Sequence, residues 1–190
     1  NPFDIKALRK GAEAPCEMAG MDYIIHVGRF HPAKRHDRLI EAYAQSGIEA
    51  PLVLLGKGKP EQEAKLRALA ERLGVADRVL FKGFQLNPLP WIKHARLLVV
   101  SSDSEGFGNV LVEALLLGTA AVSTRCPGGP AEILTGELAR GLCDLNSHDL
   151  ALTLQSIYQH PPAIDTATLE KFSVSMICEQ YRQLTNKTDN

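Results

Sequence analysis

Leu97-Leu98-Val99-Val100-Ser101-Ser102-Asp103-Ser104-Glu105-Gly106-Phe107-Gly108-Asn109-Val110-Leu111-Val112-Glu113-Ala114-Leu115 is the stretch on which the reading turns. Leu97 to Val100 read as a buried strand, the polar run with two glycines as a loop, and the apolar residues after it as a helix. In an α/β domain a ligand sits here, because the carboxyl end of a parallel strand opens into a loop that feeds a helix N-terminus. Unpaired amides at that terminus favour an anion. Glu113 lies about one turn beyond Asn109, so the two share a helix face, while Glu105 belongs to the loop. One reading makes Glu105 a solvated acid and Glu113 a favourable early-helix charge. The other has amides from Gly106 to Val110 holding a phosphate while both glutamates accept hydrogen bonds from hydroxyls on either side of it. A nucleotide sugar offers that series of hydroxyls, diphosphate and hydroxyls.

Outward from this stretch the same alternation repeats. A short helix capped by Asp4 runs to Lys10, and Tyr23 to Val27 form a strand that enters Gly28-Arg29-Phe30-His31-Pro32-Ala33-Lys34. A helix follows from Arg35 to Gln45 with Leu39, Ile40, Tyr43 and Ala44 as its packed stripe. Pro51 to Leu55 is a second strand, and Pro60 opens a helix that Gly74 ends. Arg78 to Lys82 form a third strand, with a helical turn or two from Trp91 to Ala95. After the central unit come a strand over Ala120 to Thr124, a short helix over Ala131 to Leu134, and an edge strand over Gly141 to Cys143. A helix from His148 to Tyr158 then packs through Leu150, Leu154 and Ile157. His160-Pro161-Pro162 breaks the pattern. Helicity resumes from Thr166, with Ile177, Tyr181 and Leu184 on one face. Strand and helix in alternation imply a parallel sheet covered on both faces, a Rossmann-like α/β fold.

A chain of 190 residues, 45% of them hydrophobic, can bury one substantial core. Lysine and arginine total 21 against 22 acids, a formal charge of -1, which gives no footprint for nucleic acid. Cys16, Cys126, Cys143 and Cys178 are far apart and read as reduced thiols in a cytoplasmic setting. No apolar run approaches the roughly 18 residues of a membrane span.

The loop from Gly28 to Lys34 is the second chemical clue. Gly28 permits a tight exit from the strand, Arg29 can address phosphate oxygens with its planar fork, and Lys34 adds a mobile point charge. The spaced glycines of a dinucleotide fingerprint are missing, and Gly56-Lys57-Gly58 lacks the rest of a P-loop. Lys57 either lines the crevice or is a solvated turn lysine. Gly128-Gly129 permits either close approach to a ligand or a tight turn. Asp103 and Glu105 lack a third ligand, so no metal is expected. His26 alternates with apolar residues and reads as buried; His31, His36 and His94 read as loop or surface residues.

Gly28-Arg29 with Lys34, Gly83-Phe84, Glu105-Gly106-Phe107-Gly108 with Glu113-Ala114-Leu115 and Gly118, and Pro127-Gly128-Gly129-Pro130 with Glu132 together resemble one family. It is the C-terminal, nucleotide-sugar-binding domain of retaining GT-B glycosyltransferases, glycosyltransferase family 4, and the likeness covers nearly all of the chain. The run from Gly106 to Glu113, with Asn87-Pro88 upstream, is similar to the bacterial branch that builds lipopolysaccharide, O-antigen, capsule or lipid-linked glycans. The resemblance implies that Arg29 and Lys34 are the diphosphate cations, that Glu113 accepts from the ribose and that Glu105 faces the donor sugar. It places backbone groups of Gly28, Gly106, Phe107, Gly108, Asn109 and Val110 around sugar and phosphate, and the base near Phe84 and Leu86. A UDP-sugar is the implied donor, with retention of configuration and neither cofactor nor obligatory metal.

Two departures stand out: Arg35 occupies a position that is commonly glycine, and Ala120-Ala121 replaces a small-proline pair. Neither removes an implied catalytic group. The resemblance makes residues 1–165 one half of a GT-B fold and residues 166–190 a helical extension that packs on an N-terminal domain. That other domain would supply the glycan or glycolipid acceptor site, at the cytoplasmic face of the inner membrane. A sugar-nucleotide epimerase and a noncatalytic nucleotide-sugar-binding module are the competing readings.

Overall fold

The computed structural model describes residues 3–165 together with Leu169 and Phe172. Six strands form a single parallel sheet: β1 (Ile24–Val27), β2 (Leu52–Leu55), β3 (Val79–Gly83), β4 (Leu97–Val100), β5 (Ala120–Thr124) and β6 (Leu142–Cys143), in the order β3-β2-β1-β4-β5-β6. All five pairings are parallel, so every strand ends at the same edge of the sheet. The strand order reverses between β1 and β4. That is the switch point at which doubly wound sheets open a crevice.

The helices are α1 (Ile5–Gly11), α2 (His36–Ser46), α3 (Pro60–Arg72), α4 (Leu89–His94), α5 (Asn109–Leu116), α6 (Pro130–Ile133) and α7 (Ser147–Gln159). Leu97 and Val99 point to one apolar layer, shared with Leu39 and Ile40 of α2 and Leu150 and Leu154 of α7. Leu98 and Val100 point to the other, shared with Trp91 of α4 and Leu111 and Leu115 of α5. A strand with both faces covered must be apolar throughout, which is why Leu97 to Val100 shows no polar alternation. Each such side chain contributes on the order of 1.5–3 kcal/mol by burial.

Asp4 caps α1 as its position implies, its side chain accepting from the Ala7 amide at 3.0 Å. Helix α4 starts two residues before the expected Trp91, since Pro90 fits a first turn that requires no amide hydrogen. His26 is buried as expected. His36, read as a loop or surface residue, is instead 3% exposed at the start of α2, edge-on to the His26 ring with centroids 4.5 Å apart. Among the described residues, no helix is long and apolar enough to cross a membrane. Of the expected terminal helix, Leu169 is buried in the second apolar layer and Phe172 meets Phe107 edge-on at 5.8 Å. Ile177, Tyr181 and Leu184 lie outside the described residues.

Candidate functional site

The loops after β1 and β4 meet, as the strand order requires. The Asp103 amide donates to the Ala33 carbonyl at 2.8 Å, and Ser101 Oγ donates to the Lys34 carbonyl at 2.8 Å. Across this seam Lys34 Nζ lies 2.7 Å from both carboxylate oxygens of Glu105. Ser102 Oγ donates to the same carboxylate at 2.5 Å, and the Ser102 carbonyl accepts from Thr124 Oγ1 at 2.6 Å. Glu105 is thus held by a cation from one loop and a hydroxyl from its own. Its side chain is only 10% exposed against 30% for Lys34, so the pair is partly screened from water and its geometry is well defined.

Beside it lies a second charged group. Arg38, 5% exposed within α2, donates to the Ser101 carbonyl at 2.9 Å and to Asp103 at 2.6 Å. Arg35 contacts Asp103 at 3.3 Å and Asp37 at 3.0 Å. Among the described residues Arg35 is the non-glycine residue with positive φ, at φ 49° and ψ 50°. In that left-handed backbone a side chain costs on the order of 1–2 kcal/mol.

The loop after β5 packs against the backbone of Glu105 and Phe107. The Glu105 amide donates to the Pro127 carbonyl at 3.1 Å. A Cβ on Gly128 would sit 1.9 Å from the Glu105 carbonyl oxygen, and one on Gly129 would sit 1.8 Å from that of Phe107. The two glycines therefore let backbone approach backbone. Helix α5 is preceded by its N-cap Gly108, in the left-handed region at φ 88°.

One turn into α5, Glu113 is half-buried, and its carboxyl is pushed above the ordinary value by loss of water contact. No ion pair or side-chain hydrogen bond to Glu113 occurs among the described residues. On the β1–β3 side of the sheet edge, a cleft of about 470 Å³ is lined by Gly28, Arg29, Lys57, Phe84 and Leu86, among others. Arg29 is exposed and makes no ion pair among the described residues. Phe84 is 61% and Leu86 92% exposed, large apolar groups left in solvent at the cleft mouth.

The structure therefore gathers Gly28, Arg29, Phe84 and Leu86 around one cleft and joins Lys34 to Glu105 beside it. Gly106, Phe107, Gly108, Asn109, Val110 and Glu113 do not line that cleft; they follow β4 on the far side of the seam. Lys57 lines the cleft. Sequence reasoning missed Ser102, Thr124 and Arg38. Only Arg38 left a trace, standing beside Leu39 of the packed stripe of α2, where a charge needs a partner.

Comparison with known proteins places the fold in a family. Residues 18–168 match the family model of glycosyl transferases group 1. The chain is 37% identical over 134 residues to the N-acetylgalactosamine-N,N'-diacetylbacillosaminyl-diphospho-undecaprenol 4-alpha-N-acetylgalactosaminyltransferase of Campylobacter jejuni, covering 70% of this chain and 36% of that enzyme. It is 30% identical over 187 residues to the lipopolysaccharide 1,6-galactosyltransferase of Salmonella typhimurium, covering 90% and 50%. The chain thus spans half or less of these relatives. Among solved structures, Anabaena HepE in complex with UDP-glucose is 27% identical with a TM-score of 0.73, over 98% of this chain and 53% of that one. The apo lipopolysaccharide outer core galactosyltransferase WaaB, 24% identical, shares the fold with a TM-score of 0.81 over 99% and 54%. With a family match over residues 18–168 and a parallel sheet shared with these structures, the chain belongs to the glycosyl transferases of group 1.

Proposed function

We propose that this chain is the donor-binding half of a retaining glycosyltransferase that takes a nucleotide-diphosphate sugar, with a UDP-sugar as the favoured donor. The observation that carries the reading is the arrangement at the sheet edge. An exposed Arg29 stands on a cleft with large apolar groups at its mouth, next to a loop seam that ends at the first turn of α5. The base stacks on the apolar mouth formed by Phe84 and Leu86, and Arg29 meets the diphosphate. Glu113, half-buried and with no donor to its side chain among the described residues, accepts hydrogen bonds from the ribose. That HepE, at 27% identity, is seen with UDP-glucose supports the ligand class.

In such a transfer, negative charge builds on the diphosphate as the anomeric C–O bond breaks. Arg29, the Lys34 ammonium and the amides of residues 106–110 stabilise it, and Lys34 and the amides are already held in place by Glu105 and the start of α5. Glu105 faces the sugar and keeps Lys34 directed at the seam. The reading calls on Arg29, Lys34 and the helix amides, rather than a metal, to meet the diphosphate charge. The acceptor, a lipopolysaccharide, O-antigen, capsule or lipid-linked glycan, is bound by a further domain at the cytoplasmic membrane face.

Calorimetry of the chain with UDP, GDP, ADP and UDP-glucose tests this. UDP should bind more tightly than GDP or ADP, and Arg29→Glu should weaken UDP binding by at least tenfold. Failure of all the nucleotides to bind at millimolar concentration would overturn the reading.

A further inference from the structure

We propose that Arg35 is a positioning residue, a strap whose guanidinium fixes the Ser101–Glu105 loop against the loop after β1 and so sets the aim of Glu105. The consequence for ligand binding rests on the donor-site reading above; the strap itself does not. Arg35 occupies a left-handed backbone position, φ 49° and ψ 50°, that glycine would fill without strain. Its main chain explains none of that cost, since the Arg35 amide and carbonyl make ordinary turn and helix bonds to Pro32 and Leu39. The side chain supplies the reason. It spans from Asp37 on its own helix to both carboxylate oxygens of Asp103, which is two residues before Glu105 and 68 residues away in sequence.

Asp103 is then held at three points: by Arg35, by the buried Arg38, and through its own amide by the Ala33 carbonyl. The two arginines and the two aspartates, Asp37 and Asp103, balance in charge. The group therefore braces the seam without competing with Arg29 for an anion. Held at Asp103, the loop presents Glu105 to Lys34, and the Lys34 carbonyl is itself tied to Ser101.

The test compares Arg35→Gly, Arg35→Lys and Asp103→Asn with the parent chain by thermal melting, hydrogen exchange and UDP calorimetry. Arg35→Gly removes backbone strain and the strap together, so its Tm should stay within about 2 °C of the parent. Amide exchange across residues 101–106 should quicken by at least fivefold while the strands keep their protection. UDP affinity should fall by about threefold or more. Asp103→Asn should give the same local exchange change with a lower Tm, because the strain remains. Arg35→Lys, which keeps the charge, should restore part of the loop protection.

Unchanged exchange at residues 101–106 in Arg35→Gly would overturn the strap, as would exchange that quickens uniformly along with a large drop in Tm. A parent that binds UDP as tightly as Arg35→Gly does would overturn the link to Glu105. A parent that binds no UDP would sink the donor-site reading instead, and the exchange result would still judge the strap.

Discussion

Glu113 combines partial burial with the lack of a side-chain donor among the described residues, and both facts carry consequences. Its folded pKa is raised above the ordinary 4.5 by desolvation. A carboxyl raised on folding favours the fold in its neutral form, and that advantage is lost as pH rises through the folded value. At pH 7 the ionised side chain therefore weakens the fold. Glu113→Gln should melt slightly higher than the parent at pH 7, with the gap closing as pH falls towards the ordinary glutamate range. The same substitution should weaken UDP binding by about tenfold, the loss expected for one hydrogen bond to a charged acceptor. Inorganic pyrophosphate, which has no ribose, should bind both proteins alike. Equal UDP affinity in the two proteins would remove the ribose role from Glu113. The position of this glutamate was legible from its spacing on the helix. Its missing donor was not, because that depends on what the neighbouring loops present.

At the scale of elements, the β5–α6 connection shows how glycines can fix one loop against the backbone of another. The sequence left open whether Gly128 and Gly129 serve close approach or a tight turn, and the neighbour approached is the backbone of Glu105 and Phe107. Gly129→Ala would place a methyl 1.8 Å from the Phe107 carbonyl oxygen, a backbone atom that cannot move without shifting the start of α5. The expected cost is about 1–3 kcal/mol, a fall in Tm of several degrees, together with weaker UDP binding. Gly106→Ala is the control. An added Cβ there meets nothing within 4 Å, so its Tm should stay close to the parent's. A Gly129→Ala protein as stable as Gly106→Ala would show that the two loops are not packed as described. Element identities were readable because apolar runs and capping residues are local signals, as at Asp4 and Pro60. The start of α4 was less so, because prolines at positions 88 and 90 fit either a loop or a first turn.

For the whole molecule, the parallel sheet was legible because each strand is an apolar run flanked by a loop and a helix. The cross-links over its edge were not, since Lys34 and Glu105 are 71 residues apart and Arg38 and Asp103 are 65 apart. Only the strand order brings them together. The same convergence stacks His26 of β1 against His36 of α2, with Phe30 edge-on to His36 at 4.7 Å. His26 Nδ1 meets the Val99 carbonyl at 2.9 Å, whereas Nε2 of each ring is buried without a partner among the described residues. Burial, the leading cause, depresses His26 to about 4 and His36 to about 2; Lys34 lowers both further, and Glu105 acts in the opposite direction on His26. Because both imidazoles stay neutral in the fold, the unfolded chain takes up their protons first, near 6.5. Stability should therefore fall as pH drops from 6.5 towards 4, with a slope approaching about 1.4 kcal/mol per pH unit for each histidine. Urea unfolding at pH 7, 6 and 5 measures that slope. His36→Phe keeps a ring against Phe30, sacrifices no hydrogen bond at Nε2 and removes one of the two protons, so the slope between pH 6 and 5 should drop by about half. An identical slope in the variant and the parent would mean that His36 is not held neutral, and that the two rings under the Gly28 loop are not the source of its acid sensitivity.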